Sequence, residues 1–186
     1  MTNRKKIQLV VFDMAGTTVD ENNVVYKTLQ QVVNNFGGDF SLETVLEQGG
    51  GKEKRQAIND LLAMVSEEAA APQQVDAAYE AFKEALAIAY AGLNVKPCAG
   101  VEEVFTFLRK QDIKIVLNTG YNQATAQSLV DKLGFQNGTD FDLLITADMV
   151  EHSRPAPDMI LLAMQQLGLN DATTVAKVGD TAIDME

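Results

Sequence analysis

Apolar residues recur along this chain in two spacings. Short, nearly unbroken apolar runs appear at "KIQLVVFD", "IKIVLNT", "FDLLITA" and "TVAKVGD". Runs of this length, rich in Val, Ile and Leu, fit strands buried on both faces of a parallel sheet. Around the last three the spacing turns helical. "VEEVFTFLRKQ" precedes the second run, "NQATAQSLVDKLGF" follows it, and "PDMILLAMQQLGL" leads into the fourth. Strand alternating with helix predicts an α/β fold with an open, Rossmann-like parallel sheet.

The interval from about residue 22 to 95 breaks that rhythm with helical signals only. They are "NNVVYKTLQQVVNNF", "SLETVLEQ", "KEKRQAINDLLAMV" and "PQQVDAAYEAFKEALAIAYAGL", the last with Phe82, Leu86 and Tyr90 on one stripe. The chain is therefore expected to build its sheet from residues 1–20 and 96–186, with an α-helical insertion at 21–95. "NVKPCAG" closes the insertion with a Pro and a Gly.

In an open α/β sheet, ligands bind beyond the carboxyl ends of the strands. The first strand ends in "FDMAGTT", where Asp13 is followed by Ala15, Gly16 and Thr17, small residues that let backbone amides turn toward an anion. The second ends in "NTGY", presenting Thr119, Gly120 and Tyr121. "HSRPAPD" brings Arg154 after the third, and "VGDTAID" brings Asp180 and Asp184 after the fourth. A carboxylate, a hydroxyl, a guanidinium and two further carboxylates thus reach one edge. Such a set suits phosphoryl transfer. Asp13 can attack phosphorus and carry an aspartyl phosphate. Asp13, a carbonyl near Ala15 and Asp180 offer Mg²⁺ the oxygen ligands it takes, with Asp184 either a further ligand or a helix cap. Thr119 and Arg154 can hold the phosphoryl oxygens. Tyr121 either lines the pocket or packs.

Composition narrows the partners. The 186 residues carry 15 Lys+Arg against 26 Asp+Glu, a net charge of −11, and no basic stripe, which argues against a nucleic-acid partner. One cysteine, Cys98, excludes an intramolecular disulfide. "MTNRKK" leads into a short run containing Asp13, unlike a signal-peptide core, and no window reaches membrane-spanning length. The expectation is a cytoplasmic protein that meets no membrane, in which a small anionic substrate needs a local basic pocket.

"DMAGTT", "NTGY", "RPAPD" and "GDTAID" together resemble the four motifs of the haloacid dehalogenase (HAD) superfamily, in order and over essentially the whole chain. The resemblance implies an Mg²⁺-dependent hydrolase with a HAD core and a C1 cap inserted after motif one, closing over the site. Two departures sharpen it. Most phosphatases of the superfamily carry an acid two residues after the nucleophile, to protonate a leaving oxygen, and here Ala15 stands there. Most also use Lys where this chain has Arg154. Both features resemble the phosphonatase (phosphonoacetaldehyde hydrolase) branch, in which carbon is the leaving atom.

In that branch a cap lysine forms a Schiff base with the substrate aldehyde, and the iminium accepts the electrons of the broken carbon–phosphorus bond. The branch pattern of Gly, two residues, Lys, then an apolar residue four places on is similar to Gly51, Lys54 and Ile58, followed by Leu61. The register Gly49 to Lys52 leaves Lys52 as the alternative, with Gln56 at the apolar place. Lys52, Lys54 and Arg55 cluster at a helix N-terminus, a setting that disfavours an ammonium, while Glu53 opposes this. The branch also carries a histidine three residues after its lysine, and Ala57 stands there. The caps of that branch dimerise, so a homodimer through the cap is a further expectation. His152 and Cys98 are given no role.

Two other functions fit the same residues. One is a HAD phosphatase for a small phosphate monoester, with Lys54 steering the anion. The other is a non-catalytic or truncated phosphate-binding protein, since "VGDTAIDME" stops inside motif four.

Overall fold

A computed structural model describes residues 5–65 and 70–184. The chain divides into two compact units, Met1–Asp20 with Val95–Glu186, and Glu21–Asn94.

The first unit opens with β1 (Leu9–Asp13), fully buried, and a short β2 (Val19–Asp20). The chain re-enters it at β3 (Lys96–Pro97) and continues through α5 (Val101–Lys110), β4 (Lys114–Thr119), α6 (Gln123–Leu133), β5 (Leu143–Thr146), α7 (Asp158–Gln166) and β6 (Val175–Val178). Four strands form one parallel sheet in the order β5-β4-β1-β6. Side chains alternate across it. Leu9 and Val11 face Met159, Ala163 and Met164 of α7, with Val116 and Ile145 in the same cluster. Phe12 meets the Phe105 ring of α5 edge-on at 5.4 Å, and Phe105 lies 5.7 Å from Phe135. Asp13 continues the Leu9–Val11 alternation and pairs in register with Asn118.

The second unit holds α1 (Val24–Asn35), α2 (Leu42–Gly49), α3 (Lys54–Ala63) and α4 (Pro72–Ala91). Val25, Leu29, Val33, Ile58 and Leu61 are buried, as is the stripe of Phe82, Leu86 and Tyr90 on α4. Ser41 caps α2 by accepting from the Thr44 N–H at 3.1 Å, and Pro72 opens α4 where no donor is missed.

The antiparallel pairing of β2 with β3, Val19 opposite Pro97 and Asp20 opposite Lys96, was not foreseen, because two residues are too few to show a period. No helix among the described residues is long and apolar enough to cross a membrane.

Candidate active site

The turn after β1 is closed by one acceptor. Met14, whose side chain is buried, offers its carbonyl to the N–H groups of Thr17, Thr18 and Val19 at 3.2, 2.9 and 2.7 Å, while the Gly16 N–H donates to Val19 at 3.0 Å. The Thr18 hydroxyl donates to the Asp13 carbonyl at 2.9 Å. The amides of Gly16 and Thr17 therefore serve the turn itself. Gly16 has φ of +83°, and a Cβ there would strike the Asp180 carboxylate. The position needs glycine both for its backbone and for its neighbour.

Arg154 arrives from the loop before α7 and is nearly buried. Its Nη1 donates to Asp13 Oδ1 at 2.7 Å and to Asp184 Oδ1 at 2.6 Å. Its Nε is buried with no partner among the described residues. Asp184 Oδ1 also meets Lys177 Nζ at 2.8 Å, and its Oδ2 accepts from the Thr181 hydroxyl at 2.7 Å. Asp180 is exposed and accepts from the Thr17 hydroxyl at 3.2 Å. Thr119 and Tyr121 are buried at the end of β4, the Tyr121 N–H donating to the Thr119 hydroxyl at 3.2 Å, with Gly120 buried between them. Ala15 is half-buried beside Asp13.

The charges divide unevenly. Burial pushes the Asp13 carboxyl above its ordinary value, with Arg154 and Lys177 opposing and Asp184 adding to the rise. Burial acts on Asp184 in the same sense, but the hydrogen bonds from Lys177 and Thr181 and the charges of Arg154 and Lys177 outweigh it and hold that carboxyl at about 2. Burial pushes the Lys177 ammonium down, against Asp184 and Asp13. Arg154 stays above its ordinary value because Asp13 and Asp184 overcome its burial.

Carboxylate oxygens of Asp13, Asp180 and Asp184 lie within 4.8 Å of one another. Three hard oxygen donors fit a small divalent cation, and glycine at position 16 leaves the Asp180 carboxylate the space it occupies.

In the helical unit, Lys54 is the first residue of α3 and only 4% exposed. Its Nζ donates to the Lys52 carbonyl at 2.8 Å and lies 5.0 Å from the centre of the Tyr26 ring. The Tyr26 hydroxyl accepts from the Gly51 N–H at 3.1 Å. Lys52 pairs with Asp60 at 2.7 Å. Glu53 caps α3, accepting from the N–H groups of Arg55 and Gln56, each at 2.9 Å. Ala57 and Ile58 are fully buried.

In the first unit, two residues near Asp13 and Asp184 escape a reading by motif. Lys177 lies inside a predicted strand, where its only signal is a charge within a parallel-sheet run. Asn118, the register partner of Asp13, is buried with its Oδ1 unpartnered among the described residues, and it reads simply as the residue before Thr119.

Residues 7–186 match the haloacid dehalogenase-like hydrolase family. The chain belongs to that family. It is 32% identical over 177 residues to a protein of Dickeya dadantii (strain 3937) named probable phosphatase IndB, covering 95% of this chain and 74% of that one. It is 30% identical over 190 residues to the phosphonoacetaldehyde hydrolase of Bacillus cytotoxicus, covering 97% and 71%. The crystal structure of a phosphonoacetaldehyde hydrolase like protein from Oleispira antarctica matches with a TM-score of 0.78 at 22% identity, covering 97% of this chain and 68% of that one. The HAD fold expected from the motifs is the fold found, and the chain is a HAD-superfamily hydrolase by family.

Proposed function

We propose that this HAD hydrolase cleaves the carbon–phosphorus bond of a 2-oxoalkylphosphonate such as phosphonoacetaldehyde. The observation that carries the reading is Lys54, buried beside Tyr26 at the start of α3 instead of solvated on the helix face. A lysine held out of solvent at one fixed place suits carbonyl addition by its amine. Ala15 beside Asp13 supports the same reading, since a carbon leaving group with an electron sink requires no adjacent acid. The 30% identity to a phosphonoacetaldehyde hydrolase agrees with it.

In this mechanism the Lys54 amine condenses with the substrate aldehyde and releases water, leaving an iminium. An Asp13 oxygen attacks phosphorus, the carbon–phosphorus bond breaks, and its electron pair moves into the iminium to give an enamine. The enamine takes a proton at carbon, and water frees the carbonyl product and regenerates Lys54. A second water hydrolyses the aspartyl phosphate and releases phosphate. Arg154, whose buried Nε has no partner among the described residues, and Thr119 would hold phosphoryl oxygens. Ala15, Gly16, Thr17, Gly120 and Tyr121 would shape the pocket wall. Asp13, Asp180 and Asp184 would hold Mg²⁺, which when bound supplies positive charge to the phosphoryl oxygens.

A second reading, a phosphatase for a small ester, is favoured by the 32% identity to a protein named a probable phosphatase and by Ala57, which offers no proton shuttle beside Lys54. Borohydride trapping with phosphonoacetaldehyde and Mg²⁺ separates the two. A reduced adduct on Lys54, found by peptide mass spectrometry and lost in Lys54→Arg, is expected. No lysine adduct, in a sample that frees phosphate from simple esters, overturns the phosphonatase reading in favour of the phosphatase.

A further inference from the structure

Lys177 is an ionisable residue in the middle of a sheet strand, a costly position unless its charge is used. On the edge strand β6 its side chain is 13% exposed, and its Nζ meets the same Asp184 oxygen that Arg154 contacts. Arg154 in turn bridges to Asp13. The two cations are therefore separated by one carboxylate oxygen, and the second lies one hydrogen bond from the proposed phosphoryl acceptor.

Charge balance gives the pair a purpose. Three carboxylates, Asp13, Asp180 and Asp184, face two cations, Arg154 and Lys177. The cluster is net negative, hostile to an arriving dianion. A divalent cation turns the balance positive only because Lys177 is counted; without it the loaded site is neutral. Asp184, with its Oδ1 shared by both cations and its Oδ2 taken by Thr181, is built to aim them.

We infer that Lys177 is a second phosphoryl-binding cation of this site, held beside Arg154 by Asp184 acting as a positioning residue. The inference rests on the reading of Asp13 as the phosphoryl acceptor but not on the Schiff base. Lys177 takes a phosphate or phosphonate oxygen, and when no anion is bound its charge competes with Mg²⁺ for the carboxylates.

Opposite signs make this testable. Inorganic phosphate, with Mg²⁺ present, and Mg²⁺ alone are titrated calorimetrically into the wild-type protein, Lys177→Gln and Lys177→Arg. Lys177→Gln is expected to weaken phosphate about tenfold, the scale of one charge-assisted hydrogen bond, while Mg²⁺ affinity holds or rises. Lys177→Arg is expected to restore most of the phosphate affinity. Unchanged phosphate affinity in Lys177→Gln overturns the inference, and so does a parallel loss of phosphate and Mg²⁺, the mark of a packing role. Should Lys177→Gln fail to fold, the wild-type protein decides: phosphate slows acetylation of Lys177 by acetic anhydride if the ammonium binds it, and equal rates overturn the proposal. Failure of the borohydride trap at Lys54 would leave these isotherms untouched, so the two readings fail separately.

Discussion

Asp13 and Asp184 are both buried carboxylates in contact with Arg154, yet only the replacement of Asp184 by asparagine should lower stability. Asp184 is held at about 2 against an ordinary value of 3.8, because Lys177, Thr181 and Arg154 outweigh its burial. At about 1.4 kcal/mol for each pH unit, its ionised form contributes on the order of 2 kcal/mol to folding. Its carboxyl loses its proton more readily in the folded than in the unfolded chain. That stability is therefore complete above pH 3.8 and disappears as the pH falls through about 2. Asp13 has the reverse sign. Burial raises its carboxyl, so the ionised group costs stability at neutral pH and the protonated form does not. Urea unfolding in a chelating buffer at pH 6 tests both variants. With a slope of about 2 kcal/mol per molar urea, Asp184→Asn should lower the midpoint by about 1 M. Asp13→Asn should hold the midpoint or raise it. Repeated toward pH 2, the gap between wild type and Asp184→Asn should close. A midpoint for Asp184→Asn within about 0.3 M of wild type, or a gap indifferent to pH, would refute the electrostatic assignment.

Gly16→Ala should cost about 1–2 kcal/mol for a left-handed backbone and should also weaken Mg²⁺ binding, because the new Cβ displaces the Asp180 carboxylate; thermal melts and a Mg²⁺ titration read the two effects separately. Glu53→Ala removes the cap of α3 and should cost about 1 kcal/mol in urea unfolding, and because Lys54 is the next residue it should also lower the yield of the borohydride adduct at unchanged substrate concentration.

The fold was legible because β1 is buried throughout and β4 in all but its first residue, which leaves runs of apolar residues that no helix shares, because the less buried β5 and β6 keep short apolar runs of the same kind, and because α5, α6 and α7 carry the helical spacing between them. Glycine and proline marked the exits: Gly134, at φ of +71°, caps α6, and Pro72 opens α4. The β2–β3 pair was illegible for the same reason the long elements were clear. A pairing of Val19–Asp20 with Lys96–Pro97 spans more than seventy residues and leaves no periodic trace in either segment.

The candidate site divides along a similar line. Asp13, Thr119, Arg154 and Asp180 follow the ends of their strands, so sheet topology alone directs them to one edge, and position in sequence is nearly position in space. Lys177 is different, since it precedes the end of its strand and a strand lysine on an edge reads first as a solvent contact. Only the side-chain geometry shows that it turns inward to Asp184. Glu53 makes the complementary point. As a charge beside Lys54 it reads as an opponent of a reactive amine, but its carboxylate is committed to the N–H groups of Arg55 and Gln56. A motif reports which residue type stands where. The electrostatic load on a residue depends on which neighbour spends its hydrogen bonds on it: for Lys54 that is set by a backbone turn and the cap of α3, and for Lys177 by the side chain of Asp184, in neither case by spacing.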